Sequence, residues 1–187
     1  MKNKTIPNFI VHYNRGEPFR SITSFPSDQW QSIIEKLKPT NAWGLKRFTD
    51  PNYLKQRVLA ETQLRNEFLT KGGKPQLEQP IYFFLGRNRR FEEHQLNKGY
   101  KINLSDLESE QISFTYGDSM LALIAENRKQ SGPQYKNPLC EAIYRLEELS
   151  QIYSSIHFPD ENQLAIEAQL WAIPSREIIE TLNDYSS

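Results

Sequence analysis

The chain has 187 residues, of which 37% are hydrophobic and 12% aromatic, a composition that excludes intrinsic disorder and allows one domain with its own core. Lys plus Arg number 23 and Asp plus Glu number 23, which excludes a nucleic-acid or membrane binder working through overall charge. Cys140 is the only cysteine, so a disulfide framework is excluded and a reducing, cytoplasmic location is expected. No apolar run is long enough for a membrane span, and the stretch MKNKTIPNF lacks a signal-peptide core. The expectation is therefore one soluble domain over residues 1–187 with no membrane partner.

In chain order, Phe9–Tyr13 (FIVHY) reads as a short strand, with Ile10 and His12 on one face and Phe9, Val11 and Tyr13 on the other. NRGEP, at 14–18, is turn chemistry. Ser27 is a plausible N-cap for a helix in which Trp30, Ile33, Ile34 and Leu37 recur at helical spacing, closed by Pro39. Asp50-Pro51 starts a second helix, with a capping carboxylate and proline at the first helical position. That helix should run to about Leu69 and stop at Gly72-Gly73. Its apolar side is Leu54, Val58, Leu64 and Phe68, interrupted by Glu61 and Thr62.

Ile81–Leu85 (IYFFL) is a continuous apolar run of the kind buried strands show, ending at Gly86. Tyr100–Leu104 and Gln111–Thr115 are two more strands, followed by a Tyr116-Gly117-Asp118 turn and a helix over 119–128. Asn137-Pro138 restarts the chain as a helix to about Ser154. Gln163–Trp171 (QLAIEAQLW) alternates with period two, placing Glu167 and Gln169 on the face opposite Ile166, Ala168 and Leu170. This stretch reads either as a half-exposed edge strand or as the wall of a cleft that grips a polar ligand. Ser175 then caps a short helix through Leu182. Helices early and strands late, without regular alternation, point to an α+β fold.

Three histidines, His12, His94 and His157, are too scattered for a metal site, and no HExxH or paired-cysteine spacing occurs. Cys140, in the first turn of a predicted helix, reads as a packed thiol more readily than as a nucleophile. His12 reads equally as a satisfied core histidine or as a ligand-binding one. Arg87, Arg89 and Arg90 follow a buried strand, and form either a clamp for pyrophosphate or nucleic-acid backbone or a solvated basic loop.

Four stretches, taken together and in order, carry more information: IVHY, PIYFFLGRNRRF, ISFTYGDS and IEAQLWAIP. The set resembles the ADP-ribosyltransferase superfamily, most closely the DNA-base ADP-ribosyltransferase toxins of bacterial toxin–antitoxin systems. It is also similar to a group of uncharacterised bacterial proteins that open with IPxFLYHY. The resemblance implies a split β-sheet core with flanking helices, and NAD as substrate with no metal. It implies a mono-ADP-ribosyltransferase, in the role of a toxin or phage-defence effector, acting on DNA, RNA or a protein, with an antitoxin as a further partner. The alternative is a catalytically inactive nucleotide- or partner-binding module.

By the same resemblance, Glu167 takes the place of the catalytic glutamate and His12, beside Tyr13, that of the nicotinamide-side histidine. Tyr82 and Phe83 fall on the aromatic strand, Arg87 on the phosphate-side arginine, and Arg47 is the nearest helical arginine. Asn14 stands where the toxins usually have threonine. The chemistry is coherent: breaking a nicotinamide–ribose bond develops positive charge that a carboxylate at Glu167 would stabilise. Gln169, two residues on and on the same face, would orient an acceptor. All of this requires Glu167 and His12 to face one hollow.

Overall fold

The computed structural model describes residues 5–14, 18–40, 45–92, 98–122, 132–155 and 164–182. Among these residues seven strands, β1 (Phe9–Asn14), β2 (Ile81–Leu85), β3 (Lys98–Asn103), β4 (Ile112–Tyr116), β5 (Ile143–Arg145), β6 (Ile166–Leu170) and β7 (Glu180–Leu182), form one antiparallel sheet. Its order is β5-β4-β6-β2-β1-β3-β7. Among the described residues the helices are α1 (Trp30–Leu37), α2 (Leu45–Phe48), α3 (Pro51–Thr70), α4 (Arg89–Glu92), α5 (Ser119–Ala122) and α6 (Leu149–Ser155). The α+β class holds. The described strands make a single sheet, not the two-part sheet the resemblance implies, because β6 bonds to both β4 and β2.

Several expected elements form where the local signals are strongest. Asp50 caps α3 by accepting from Asn52 N at 2.9 Å. Gly72, at φ +87°, ends it, with Gly73 N donating to Phe68 O at 2.9 Å. Two predicted helices turn out to contain strands. After Asn137-Pro138 the chain makes only a 3-10 turn before β5, since Ile143 and Tyr144 pair with Thr115 and Phe114 of β4. After Ser175, a 3-10 turn leads into β7 against β3. Ser27 and Ser175 make no side-chain caps. The helix expected over 119–128 begins as α5; its continuation, together with 15–17, Gln163, His94 and His157, lies outside the described residues.

Register determines which side chains share a face. Phe83 sits opposite Ala168, which sits opposite Phe114, which sits opposite Tyr144. This first face carries the main core, with Ile10, Ile81, Ile102, Ile166 and Leu170 packed against Tyr135, Cys140, Leu149 and Ile152. The second face has the row Val11, Phe84, Glu167, Thr115, Ile143, and beside it the row Tyr82, Gln169, Ser113, Arg145. Helix α3 covers it. Leu64 and Phe68 pack with Ile143 and Trp171, the Phe68 and Trp171 rings stacking at 6.1 Å. The other end of α3 joins a small satellite core in which Leu54 meets Ile22 and Ile34. The Glu167 strand is thus central and covered on both sides, which removes the edge-strand reading. Among the described residues no helix is long and apolar enough to cross a membrane.

Candidate functional site

Alternation in β6 presents Glu167 and Gln169 to the second face, under α3. Gln169 is completely buried. Its Oε1 accepts from Ser113 Oγ at 3.0 Å and its Nε2 donates to Thr115 Oγ1 at 3.0 Å. Ser113 Oγ in turn accepts from Trp171 Nε1 at 2.9 Å, and Thr115 Oγ1 donates to Gly117 O at 3.2 Å. Every donor in this chain of bonds points the same way, from indole to backbone carbonyl. Gln169 is therefore consumed inside the fold. The expectation that it orients an acceptor is corrected: it braces β6 against β4.

Glu167 stands beside that chain, only partly exposed. Its Oε2 accepts from the Ser119 backbone N–H at 3.0 Å, and Gln169 Nε2 lies 3.4 Å away. Burial, followed by the negative charge of Asp118, pushes its carboxyl up from the ordinary 4.5 to about 7. The Ser119 hydrogen bonds and the Arg57 charge oppose that rise without cancelling it. A carboxyl of this kind is divided between its acid and base forms near neutrality, as groups that handle protons or developing charge need to be.

Above it, α3 contributes Arg57 and Glu61. Arg57 Nε donates to Glu61 Oε1 at 3.0 Å, and its guanidinium carbon lies 4.5 Å from the centre of the Tyr82 ring. The Tyr82 hydroxyl donates to the same Glu61 oxygen at 3.1 Å. Burial and then the Glu61 charge raise the Tyr82 hydroxyl well above 10, so it stays protonated. Glu61 is 1% exposed, and its Oε2 is buried without a hydrogen-bond partner. At the rim, Arg47 of α2 reaches Asp118 Oδ2 at 3.8 Å, while Asp118 Oδ1 accepts from Met120 N at 2.9 Å. The positive φ of Gly117, +92°, makes the turn that brings Ser119 N to Glu167.

His12 lies on the other face. Its Nδ1 is 2.7 Å from Tyr82 O, and its Nε2 accepts from Phe19 N at 3.3 Å, which assigns a neutral ring protonated at Nδ1. The rings of Phe19 and Phe83 lie 5.2 and 5.3 Å from it. Burial lowers its pKa. The β1–β2 pairing stops at Val11 and Phe84, and the imidazole takes the Tyr82 carbonyl just beyond. The shared hollow is thereby overturned: His12 is a half-buried histidine satisfied by the fold, on the opposite side of the sheet from Glu167. Phe83, 1% exposed within the main core, is likewise removed from any ligand site.

Tyr13 and Arg87 form a corner of their own. Tyr13 Oη donates to Glu92 Oε1 at 2.8 Å and accepts from Asn88 N at 2.9 Å; Arg87 Nε donates to the same Glu92 oxygen at 2.6 Å. This corner is on the second face, but Phe84 stands between Tyr13 and Glu167. Cys140 is buried in the main core, its thiol 3.9 Å from Gln134 O. Among the described residues no three His, Cys, Asp or Glu side chains could hold a metal ion.

The structure thus unites Glu167, Tyr82 and, through Asp118, Arg47, and it adds Arg57, Glu61, Asp118 and Ser119, which sequence reasoning missed. One signal was available. Leu54, Glu61 and Phe68 recur at seven-residue intervals, so Glu61 occupies an inward position of α3 where an apolar residue is expected. The chain matches no family model, and no curated protein or solved structure is significantly similar to it.

Proposed function

We propose that the protein is an NAD-dependent mono-ADP-ribosyltransferase whose reaction centre is Glu167 on the α3 side of the sheet. The observation that carries this reading is a carboxyl held by the Ser119 N–H, its pKa pushed up to about 7 by burial and Asp118, on the same face as an arginine stacked on a tyrosine ring. Cleavage of the N-glycosidic bond sends the electron pair to nicotinamide and leaves positive character on the ribose carbon. A carboxylate fixed by Ser119 N–H meets that charge without having to reorganise. The acceptor's nucleophile then bonds to the same carbon and loses a proton. Arg57, with Arg47 at the rim, supplies guanidinium groups of the kind that bind a pyrophosphate. His12, Phe83 and Gln169 have no part in this mechanism. The acceptor classes are nucleic acid or protein, and the role is that of a toxin or phage-defence effector.

The test is nicotinamide release from NAD by wild type and Glu167→Gln. Loss on the order of a hundredfold or more is expected, with the unfolding transition retained. Equal turnover removes Glu167 from the mechanism. Because the active form is the carboxylate, the wild-type rate should rise with pH through about 7.

A second reading, a nucleotide- or partner-binding module without turnover, is favoured by one observation. The groups expected to assist Glu167 from β1 and from position 169 are both committed to the fold. NAD binding by calorimetry with no nicotinamide released would select it.

A further inference from the structure

We propose that Glu61 is a positioning residue for this site: by gripping Arg57 at its Nε edge it holds the guanidinium over Tyr82 and leaves the two terminal amino groups as a fork for an anionic ligand. Only the identity of that ligand, a diphosphate, rests on the NAD reading above. Three observations carry the proposal. First, one Glu61 oxygen accepts from both Arg57 Nε and Tyr82 Oη, at 3.0 and 3.1 Å, so a single atom fixes the relative placement of both groups. Second, among the described residues the Nε edge is the part of Arg57 that donates a hydrogen bond, and the side chain keeps 17% exposure. Third, Glu61 Oε2 is buried without a partner. An uncompensated carboxylate oxygen is costly. A residue needed only to seat α3 on the sheet would be apolar, as Leu64 and Phe68 are.

The arrangement has an electrostatic consequence. Among the described residues the charged or titratable groups around Glu167 are Asp118 beside α5, Arg57 on α3, Tyr82 on β2 and Tyr135 on the 133–136 turn, with Arg47 of α2 paired to Asp118. Among the described residues Arg57 is the cation that acts directly on Glu167, and Glu61 is the carboxylate paired with it. Glu61→Gln removes that negative charge while its amide oxygen can still accept from Tyr82 Oη. The fork loses its charged anchor, and Arg57 acts on Glu167 unopposed.

The experiment uses the full chain with ADP as a nucleoside-diphosphate probe. Binding is measured by calorimetry, and the Glu167 carboxyl is followed by carbon-detected NMR, assigned by its absence in Glu167→Gln. In Glu61→Gln, ADP affinity should fall about tenfold and the Glu167 midpoint should move acidward by about one pH unit. Arg57→Lys, which keeps the charge but lacks the fork, should lose ADP affinity with the Glu167 midpoint nearly held; this variant serves if Glu61→Gln fails to fold. An unmoved midpoint in Glu61→Gln, or unchanged ADP affinity in either variant, overturns the proposal. An acidward midpoint and weakened ADP binding, in a protein that releases no nicotinamide, uphold it and remove only the transferase reading.

Discussion

Glu167→Gln is also the sharpest probe of the physical claim beneath the site, because its effect on stability must depend on pH. In the native state the carboxyl is raised from 4.5 to about 7. Each pH unit between folded and unfolded values corresponds to about 1.4 kcal/mol, so ionising Glu167 in place costs up to about 3 kcal/mol. The native state therefore holds a proton that the unfolded chain has released across the window from 4.5 to 7. Stability falls as pH rises through that window, and the loss is complete above it. Glutamine carries no such penalty. Its amide oxygen still accepts from Ser119 N–H, and the strengthening of that bond by the ionised carboxylate is already contained in the value of about 7. Urea unfolding of both proteins at about pH 4.5, 6 and 8 should show the variant gaining on wild type by up to about 3 kcal/mol from the acid to the alkaline end. A difference that stays flat would mean that the folded carboxyl is not raised. A difference that shrinks with rising pH would mean that Arg57 outweighs burial and Asp118, and the account of the site would fail.

Two further outcomes follow from the same geometry. His12 is held neutral with its folded pKa below the ordinary 6.5, so the unfolded chain takes up a proton first on acidification and stability is lost as pH falls below that value. Compared by urea unfolding, wild type should therefore lose ground to His12→Gln between about pH 7.5 and 5.5; a constant difference would mean that the ring is not buried neutral. Phe68→Ala should cost about 3–5 kcal/mol in the same assay, since Phe68 is fully buried and stacked on Trp171. A loss under about 1 kcal/mol would mean that α3 is not seated on the second face.

The elements legible in the sequence are those whose signal is local. The Asp50-Pro51 start, the Gly72 stop and the alternation in 166–170 depend on near neighbours, and each appears where expected. β5 and β7 were hidden because three residues are too few for a period to show. What makes them strands is pairing with β4 and β3, far away in sequence. The site was half legible for a related reason. Alternation gives the parity of each strand but not the register that joins one strand's parity to another's. Glu167 and Tyr82 share a face because Tyr82 pairs with Gln169 and Phe84 with Glu167. His12 fell on the wrong side because Val11, not His12, aligns with Phe84. Slipping that pairing by one residue would have put imidazole and carboxylate on one face, with Phe84 between them.

The fate of the polar side chains separates scaffold from site. His12 and Gln169 have their hydrogen-bonding groups met by the fold: two backbone groups for the ring, two hydroxyls for the amide. A polar residue satisfied in this way rigidifies a core and has nothing left to offer a ligand. Glu61 and Glu167 are different. One keeps a buried oxygen with no donor, and the other is pushed toward its neutral form although an arginine is near. Along the α3–sheet interface the carboxylate costs fall in the stretch around Arg57 and Tyr82; at the far end of α3, Arg145 Nε is the other buried side-chain atom without a hydrogen-bond partner among the described residues. Seven residues further along the helix, the same interface is closed by Phe68 on Trp171. Coverage of the sheet alone therefore does not require charge under α3. The charged stretch stores interaction energy that an incoming ligand with both positive and negative parts can release. On the proposed transferase reading, a nucleotide losing a leaving group from its ribose carbon would be such a ligand, with phosphates for Arg57 and developing positive charge for Glu167.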